Sequence, residues 1–341
     1  MAHHPKIAVI IPNWDGADMI PATIASLQQQ SMVGDIIVID NGSVDGSLDY
    51  LRPLAKQNKI ILIEHAKNLG FTGGVNAGFA YALKHKYDAV ASLNNDAVAD
   101  KNWLKYLWER LASHPKIAAV TCKILSENGK TMDSTGDLLS IWGLPYPRGR
   151  GEPTSKKYDQ DTDIFGASGG ATLFRCAALR DVGLYDPDFF AYYEDTDMSL
   201  RTRLAGWTIK LEPRAFVLHQ ISSTGNRVKG FTTLQTMKNL PWVIVKNIPL
   251  SLWWHIIPRF TLAYIMFFGR AIIDGRGLWA LRGFLISLAL LPKKLWQRRT
   301  IQKNRKITPA AVNALLLHDL PPNARKLRHL RSAWWRLRGK S

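Results

Sequence analysis

Apolar runs of strand length alternate with segments of helical length along the first 120 residues. The runs fall at 7–11, 36–39, 60–63, 89–93 and 117–121, and the helical segments at 18–30, 46–57, 74–86 and 101–113. Strands alternating with helices predict βαβ units and a mostly parallel α/β sheet flanked by helices. The runs are continuously apolar, which predicts that both faces of the sheet are covered. Asp100 reads as the N-cap of the fourth helix, with Pro115 beyond its end. Residues 129–163 are irregular and read as a long surface excursion. Regular elements resume at 165–175, with a helix near 194–205 and a strand near 208–211.

Past residue 240 the pattern changes, so the chain is expected to divide into 1–240 and 241–341. Residues 248–268 and 278–291 are long apolar stretches flanked by Lys and Arg, and seven of the twelve Trp lie between Trp242 and Trp335. His255, Pro258 and Arg259 interrupt the first stretch, and the second is shorter than the roughly 20 residues a spanning helix needs. An interfacial or re-entrant position at a membrane surface is therefore expected.

Charge sharpens this division. The net charge is +18, and residues 248–341 hold 18 Lys and Arg against 2 Asp and Glu. Such asymmetry calls for a polyanionic partner, either anionic lipid or nucleic acid. Interleaved Trp and apolar runs, with no recognition module for nucleic acid, favour an anionic membrane surface and argue against nucleic acid. A mean hydropathy of −0.11 suits a soluble or peripheral protein. The first residues lack a charged-then-apolar leader, and Cys122 and Cys176 match no zinc or redox spacing. The expected location is the cytoplasmic face of a membrane.

Pro12 ends the first run, and polar residues cluster just after the strand ends: Asn13 and Asp15, then Asp40 and Asn41, then Asn94, Asn95 and Asp96. Ligands of open α/β sheets bind there. Neither G-x-G-x-x-G nor G-x-x-x-x-G-K-[ST] occurs, which argues against a dinucleotide site and a P-loop. Asp40 is either a turn residue or an acceptor for a base N–H. In the stretch from Asn68 to Gly78, four glycines, Gly70 and Gly74 among them, open a helix beside Asn76. They serve either tight packing or the close approach of a ligand. Asp96 can supply an oxygen to a divalent cation, Mg²⁺ or Mn²⁺, that carries a diphosphate, and His219 can supply a second ligand. Each also has a structural alternative, as a turn cap or a satisfied histidine. Glu194, Asp195 and Asp197 open a helix, where they favour its dipole or act as a general base.

These residues match a family in order and spacing. Ile10-Ile11-Pro12-Asn13, Val38 to Gly46, Asn68-Leu69-Gly70-Phe71, Leu93-Asn94-Asn95-Asp96, Gly169-Gly170-Ala171 and Glu194-Asp195-Thr196-Asp197 resemble the family 2 inverting glycosyltransferases of the GT-A fold. The resemblance covers roughly residues 5–220 and is strongest to the bacterial rhamnosyltransferase branch. It implies that a nucleotide-sugar donor, dTDP-rhamnose by analogy, sits among Pro12, Asn13, Asp15, Asp40, Asn41, Asn68, Gly70, Gly74 and Asn76. It implies that Gly169 and Gly170 lie where donor sugar and acceptor meet, and that Asp195, with Glu194 beside it, is the catalytic base. Asp96 and His219 would hold the cation. The first position of the family's D-x-D motif is Asn94 here, which removes one charge from that site. A lipid-linked or cell-envelope glycan is the implied acceptor. A non-catalytic nucleotide-sugar-binding scaffold is the competing reading.

Overall fold

A computed structural model describes residues 5–160, 162–220 and 228–319. The chain runs β1 (Ile7–Asn13), α1 (Ile20–Gln28), β2 (Asp35–Asp40), α2 (Ser47–Lys56), β3 (Ile61–Glu64), α3 (Gly70–Lys84), β4 (Ala89–Leu93), β5 (Ala97–Ala99), α4 (Trp103–Ala112) and β6 (Ile117–Ser126). Three short strands follow: β7 (Met132–Ser134), β8 (Asp137–Leu139) and β9 (Pro145–Pro147). Then come β10 (Ala171–Arg175), α5 (Cys176–Val182), α6 (Glu194–Leu204) and β11 (Thr208–His219). The C-terminal helices are α7 (Phe231–Asn247), α8 (Trp253–Ile273), α9 (Gly277–Ala289), α10 (Leu291–Lys303) and α11 (Pro309–Leu315).

The main sheet has the order β3-β2-β1-β4-β10-β6-β11-β5, with β7 added beside β6. Strands β1 to β4 pair in parallel, as the βαβ pattern predicts. The sheet as a whole is mixed rather than purely parallel. Strand β10 runs antiparallel to both β4 and β6, and β5 and β7 are antiparallel to their neighbours. The reason is connectivity: β10 enters the centre from the excursion before it, and no helical crossover fixes its direction.

Side chains of β1 alternate between two cores. Ile7, Val9 and Ile11 pack with α1, α2 and α4, whereas Ala8 and Ile10 face α3 and the α5–α6 side. Helix α3 begins at Gly70, four residues before the expected start. It lies close to the sheet because Gly78 has no side chain; a Cβ there would come within 2.5 Å of Ile10 Cγ2. Helix α4 begins at Trp103, so Asp100 is not its cap. Its carboxylate instead accepts the Asn102 N–H at 2.9 Å, closing the turn before the helix. The excursion at 129–163 is more ordered than its composition suggests, since β8 and β9 pair antiparallel within it.

A third core joins Phe165, Phe189, Leu200 and Leu204 to Leu240, Trp242, Val243 and Ile256. Residue 240 therefore falls inside α7, which packs on α6, α9 and α10. Pro241 sits within this helix and lacks the N–H that would bond the Met237 carbonyl. The Tyr264 hydroxyl of α8 donates to that carbonyl at 2.6 Å, so the proline fixes a contact point for the next helix. Among the described residues one segment, Leu250–Ile273, is long and apolar enough to cross a membrane, and only 22% of its most apolar stretch is buried. The basic segment beyond residue 319, including Trp334 and Trp335, lies outside the described residues.

Candidate active site

A cavity of about 1390 Å³ opens at the carboxyl ends of β1, β4 and the strands beside them. Pro12, Asn13, Asn41, Asn68 and Gly70 line one side of it, and Asn94, Asn95, Asp96 and His219 line its floor. Gly169, Gly170, Glu194 and Asp195 line the far side. Residues as far apart in the chain as Pro12 and His219 are thus gathered at the strand ends, where an α/β sheet leaves room for a ligand.

Amides organise the first side. Asn95 Nδ2 donates to Asn13 Oδ1 at 2.8 Å, and Asn13 Nδ2 donates to Asp40 Oδ2 at 3.0 Å. Asn41 Nδ2 donates to the Gly70 carbonyl at 2.8 Å, and the Gly70 N–H donates to Asn68 Oδ1 at 2.7 Å. Gly70 has φ of +74°, and a Cβ there would strike the Phe190 carbonyl oxygen. Four expected donor-site residues are not part of the cavity's lining. Asp40 is fully buried and accepts the Gly42 and Ser43 N–H groups, which is turn chemistry. Asp15 accepts the Val44 N–H at 2.8 Å. Asn76 pairs with the Tyr185 backbone through both ends of its amide. Gly74 packs on Pro12, where a Cβ would approach to 3.1 Å.

On the floor, His219 is held between two carboxylates. Its Nε2 lies 3.1 Å from Asp96 Oδ1 and its Nδ1 3.0 Å from Asp133 Oδ2. Burial works against a charged imidazole, but the hydrogen bonds to Asp133 and Asp96 outweigh it and push its pKa up to about 9. Arg150 closes the other side of Asp133 at 2.6 Å. Burial opposes ionisation of Asp133, yet His219 and Arg150 hold its carboxyl below the usual range.

Among the described residues no three His, Cys, Asp or Glu side chains form a self-sufficient metal cage. The donor set nevertheless suits a cation shared with a diphosphate. Asp96 and His219 are adjacent, and Asn94, whose Nδ2 is 3.3 Å from His219 Nε2, has a buried Oδ1 with no hydrogen-bond partner among the described residues. A hard divalent ion uses one or two protein oxygens and takes the rest of its shell from phosphate and water.

The acids of α6 separate by direction. Asp195 accepts the Thr196 N–H at 2.7 Å and the Gly169 N–H at 3.4 Å. Burial raises its pKa despite these bonds. Glu194 is pushed well above the usual range by burial and by the neighbouring Asp195, and its Oε2 has no hydrogen-bond partner among the described residues. Asp137 of β8 also lines the cavity, and burial together with the Asp195 charge raises its carboxyl strongly. Asp197 points away from the cavity into a buried ion cluster, 2.9 Å from both Lys246 and Arg201. Clustered, desolvated carboxyls in a cleft are what proton-transfer chemistry requires.

Asp133, Asp137 and Arg150 were not legible as site residues. Their only sequence signal is two acids bracketing Ser134-Thr135-Gly136, which reads equally as a turn.

The family model described as "Glycosyl transferase family 2" matches residues 8–183, just over half of the chain. The chain belongs to this family. Poly-beta-1,6-N-acetyl-D-glucosamine synthase of Staphylococcus aureus (strain MSSA476) is 28% identical over 214 residues, 61% of this chain and 48% of that one. The family 2 chain thus spans about half the length of the curated relatives it matches. Among solved structures, GalNAc-T7 with UDP, GalNAc and Mn²⁺ superposes with a TM-score of 0.59 at 17% identity, covering 72% of this chain and 48% of that one. S. aureus TarS 1-349 in complex with UDP superposes with a TM-score of 0.54 at 16% identity, covering 87% and 90%. At such identities these structures establish the fold, which is GT-A, here with an apolar helical extension.

Proposed function

We propose that the chain is an inverting glycosyltransferase that moves a sugar from a nucleotide-sugar donor to a hydroxyl of a lipid-linked or cell-envelope glycan. The observation that carries this reading is the meeting of two groups in one cavity. Asn94 to Asp96 with His219 offer a diphosphate site, and Asp195 offers a carboxylate with raised basicity. The S. aureus relative's name, a polysaccharide synthase, supports a glycan acceptor. The intact acids at 194 and 195 favour this over a non-catalytic scaffold.

In the mechanism, Asp195 accepts the proton of the acceptor hydroxyl as that oxygen bonds to the anomeric carbon. The bond from this carbon to the diphosphate oxygen breaks, and the nucleoside diphosphate leaves with the electron pair. The transition state resembles an oxocarbenium ion, as in inverting glycoside chemistry. A divalent cation, held by Asp96 and His219, would neutralise charge on the leaving diphosphate. The asparagines of the first side orient the nucleoside, and dTDP-rhamnose is the donor that the sequence resemblance favours.

The C-terminal helices support action at an anionic membrane surface. Trp254, Ile265, Ile273, Leu278, Leu285 and Trp296 are all at least half exposed on α8, α9 and α10. Arg270, Arg282 and Arg299 are exposed beside them. An apolar face edged by arginines lies naturally in the headgroup region, peripheral or re-entrant.

The test is a panel of dTDP-rhamnose, UDP-N-acetylglucosamine and GDP-mannose, with and without Mn²⁺, scored for thermal shift and donor hydrolysis. Asp195→Asn is expected to lower turnover by about 10²-fold or more, the usual weight of a general base, while nucleotide binding persists. Normal turnover in Asp195→Asn would remove Asp195 from the mechanism.

A further inference from the structure

The turn that delivers Glu194 and Asp195 to the cavity is strained. Phe190, Tyr192 and Tyr193 have φ of +65°, +68° and +71°. Bulky side chains resist this backbone state, and such residues persist only where their surroundings hold them. No glycine or asparagine relieves the turn, so its conformation is imposed from outside.

Two elements impose it. From the donor side, the Thr72 N–H at the start of α3 donates to the Phe190 carbonyl at 3.1 Å. From the opposite side, Asn239 of α7, fully buried, aims its Nδ2 at three backbone carbonyls: Phe189 at 3.0 Å, Ala191 at 2.9 Å and Tyr192 at 2.8 Å. Lys238, next to it, donates to the Asp188 and Phe189 carbonyls at 2.9 and 3.2 Å. An amide nitrogen carries two protons, so the three carbonyls share them. No other uncharged side chain of this size has two donors on one atom.

We propose that Asn239 is a positioning residue for the transfer reaction: it holds the 189–193 turn in its strained form and so aims Asp195 into the cavity. Asn239 does not line the cavity and acts through the turn alone. The helix carrying it lies between the catalytic acids and the exposed apolar helices, since α7 packs on both α6 and α9. The C-terminal region is thereby part of the catalytic apparatus as well as an attachment surface. This inference rests on the reading of Asp195 as the base.

The experiment compares wild type with Asn239→Leu, which keeps the branched shape and heavy-atom count and removes the donors, and with the smaller Asn239→Ser in case the bulkier leucine variant does not fold. Amide hydrogen exchange is followed by mass spectrometry, and donor turnover is measured with the nucleotide sugar that scores in the panel above. The expected result is faster exchange confined to residues 190–197, with β1 and β4 unchanged. In the same variants kcat should fall about tenfold or more, as misplacement of a reacting group predicts, while the donor KM stays within about twofold. Unchanged exchange at 190–197, or loosening spread equally over β1 and β4, overturns the proposal. The exchange measurement needs no substrate. If wild type turns over none of the donors, the functional reading fails while exchange still judges the brace.

Discussion

Lys294 Nζ lies 2.7 Å from Asp186 Oδ2, and both side chains are buried, at 0% and 4% exposure. Lys294 belongs to α10 and Asp186 to the loop before α6, so this contact joins the C-terminal helices to the segment that leads into α6. Lys246 of α7 shares the same carboxylate at 2.7 Å and reaches Asp197 at 2.9 Å. Removing one partner of a buried pair leaves an uncompensated charge, typically at a cost of about 3–5 kcal/mol. Lys294→Ala leaves Asp186 with Lys246 as its remaining cation, so the loss should fall at the low end of that range, about 3 kcal/mol or less, measured as a lower urea midpoint at neutral pH. Burial opposes ionisation of Asp186, but the two lysines hold its pKa far below the usual range. A carboxyl with a depressed folded pKa adds stability above its unfolded pKa, near 4, and loses it as pH falls below that. Wild type should therefore weaken more steeply than Lys294→Ala on acidification below about pH 4.

Glu194 makes the opposite pH demand. Its folded pKa is raised by burial and by Asp195, so the folded state keeps a proton that the unfolded chain releases above about pH 4. Stability then falls as pH rises through that window, with a slope of at most about 1.4 kcal/mol per pH unit for one group. Glu194→Gln is expected to flatten this slope and to be more stable than wild type at pH 8, as read by chemical denaturation from pH 5 to 9. An unchanged slope would mean that Glu194 is ionised in the folded protein.

The proposed cation site has one D-x-D carboxylate, Asp96, because position 94 is asparagine. Affinity for hard cations rises with ligand charge. Asn94→Asp should tighten Mn²⁺ binding in the presence of nucleoside diphosphate, on the order of tenfold, measured by calorimetry. His219→Ala should weaken it. Equal affinity in all three proteins would place the cation elsewhere.

The exposed face of α8 and α9 gives a membrane prediction. Flotation with vesicles containing phosphatidylglycerol should retain wild type at low salt and lose it progressively as salt rises. Each Lys or Arg at an anionic surface contributes about 1 kcal/mol. Replacing Ile265 and Leu285, 61% and 54% exposed, with aspartate should abolish flotation without altering the thermal unfolding midpoint. Retention of both variants would mean that α8 and α9 do not face the lipid.

Legibility in the sequence followed the range of the forces involved. Strands β1 to β4 and their helices were readable because continuous apolar runs and helical spacing are local properties of the chain. The polar residues at the strand ends were readable for the same reason, as amides and acids placed just after a run. Glu194-Asp195-Thr196-Asp197 announced an acidic helix start but not its division of labour. Only packing decided that Glu194 and Asp195 face the cavity while Asp197 turns to Lys246 and Asn247. Asp40 likewise carried two readings, and only the fold shows its carboxylate accepting the Gly42 and Ser43 N–H groups.

What the sequence alone determined was the α/β pattern, the family resemblance and the charge asymmetry of the last third. Tertiary structure decided the antiparallel course of β10, the pairing of His219 with both Asp96 and Asp133, and the bracing of residues 189–193 by Asn239. The physical reason is that these depend on contacts between segments far apart in the chain. Hydrophobic periodicity reports which face of an element is buried, but not which distant polar group meets it there.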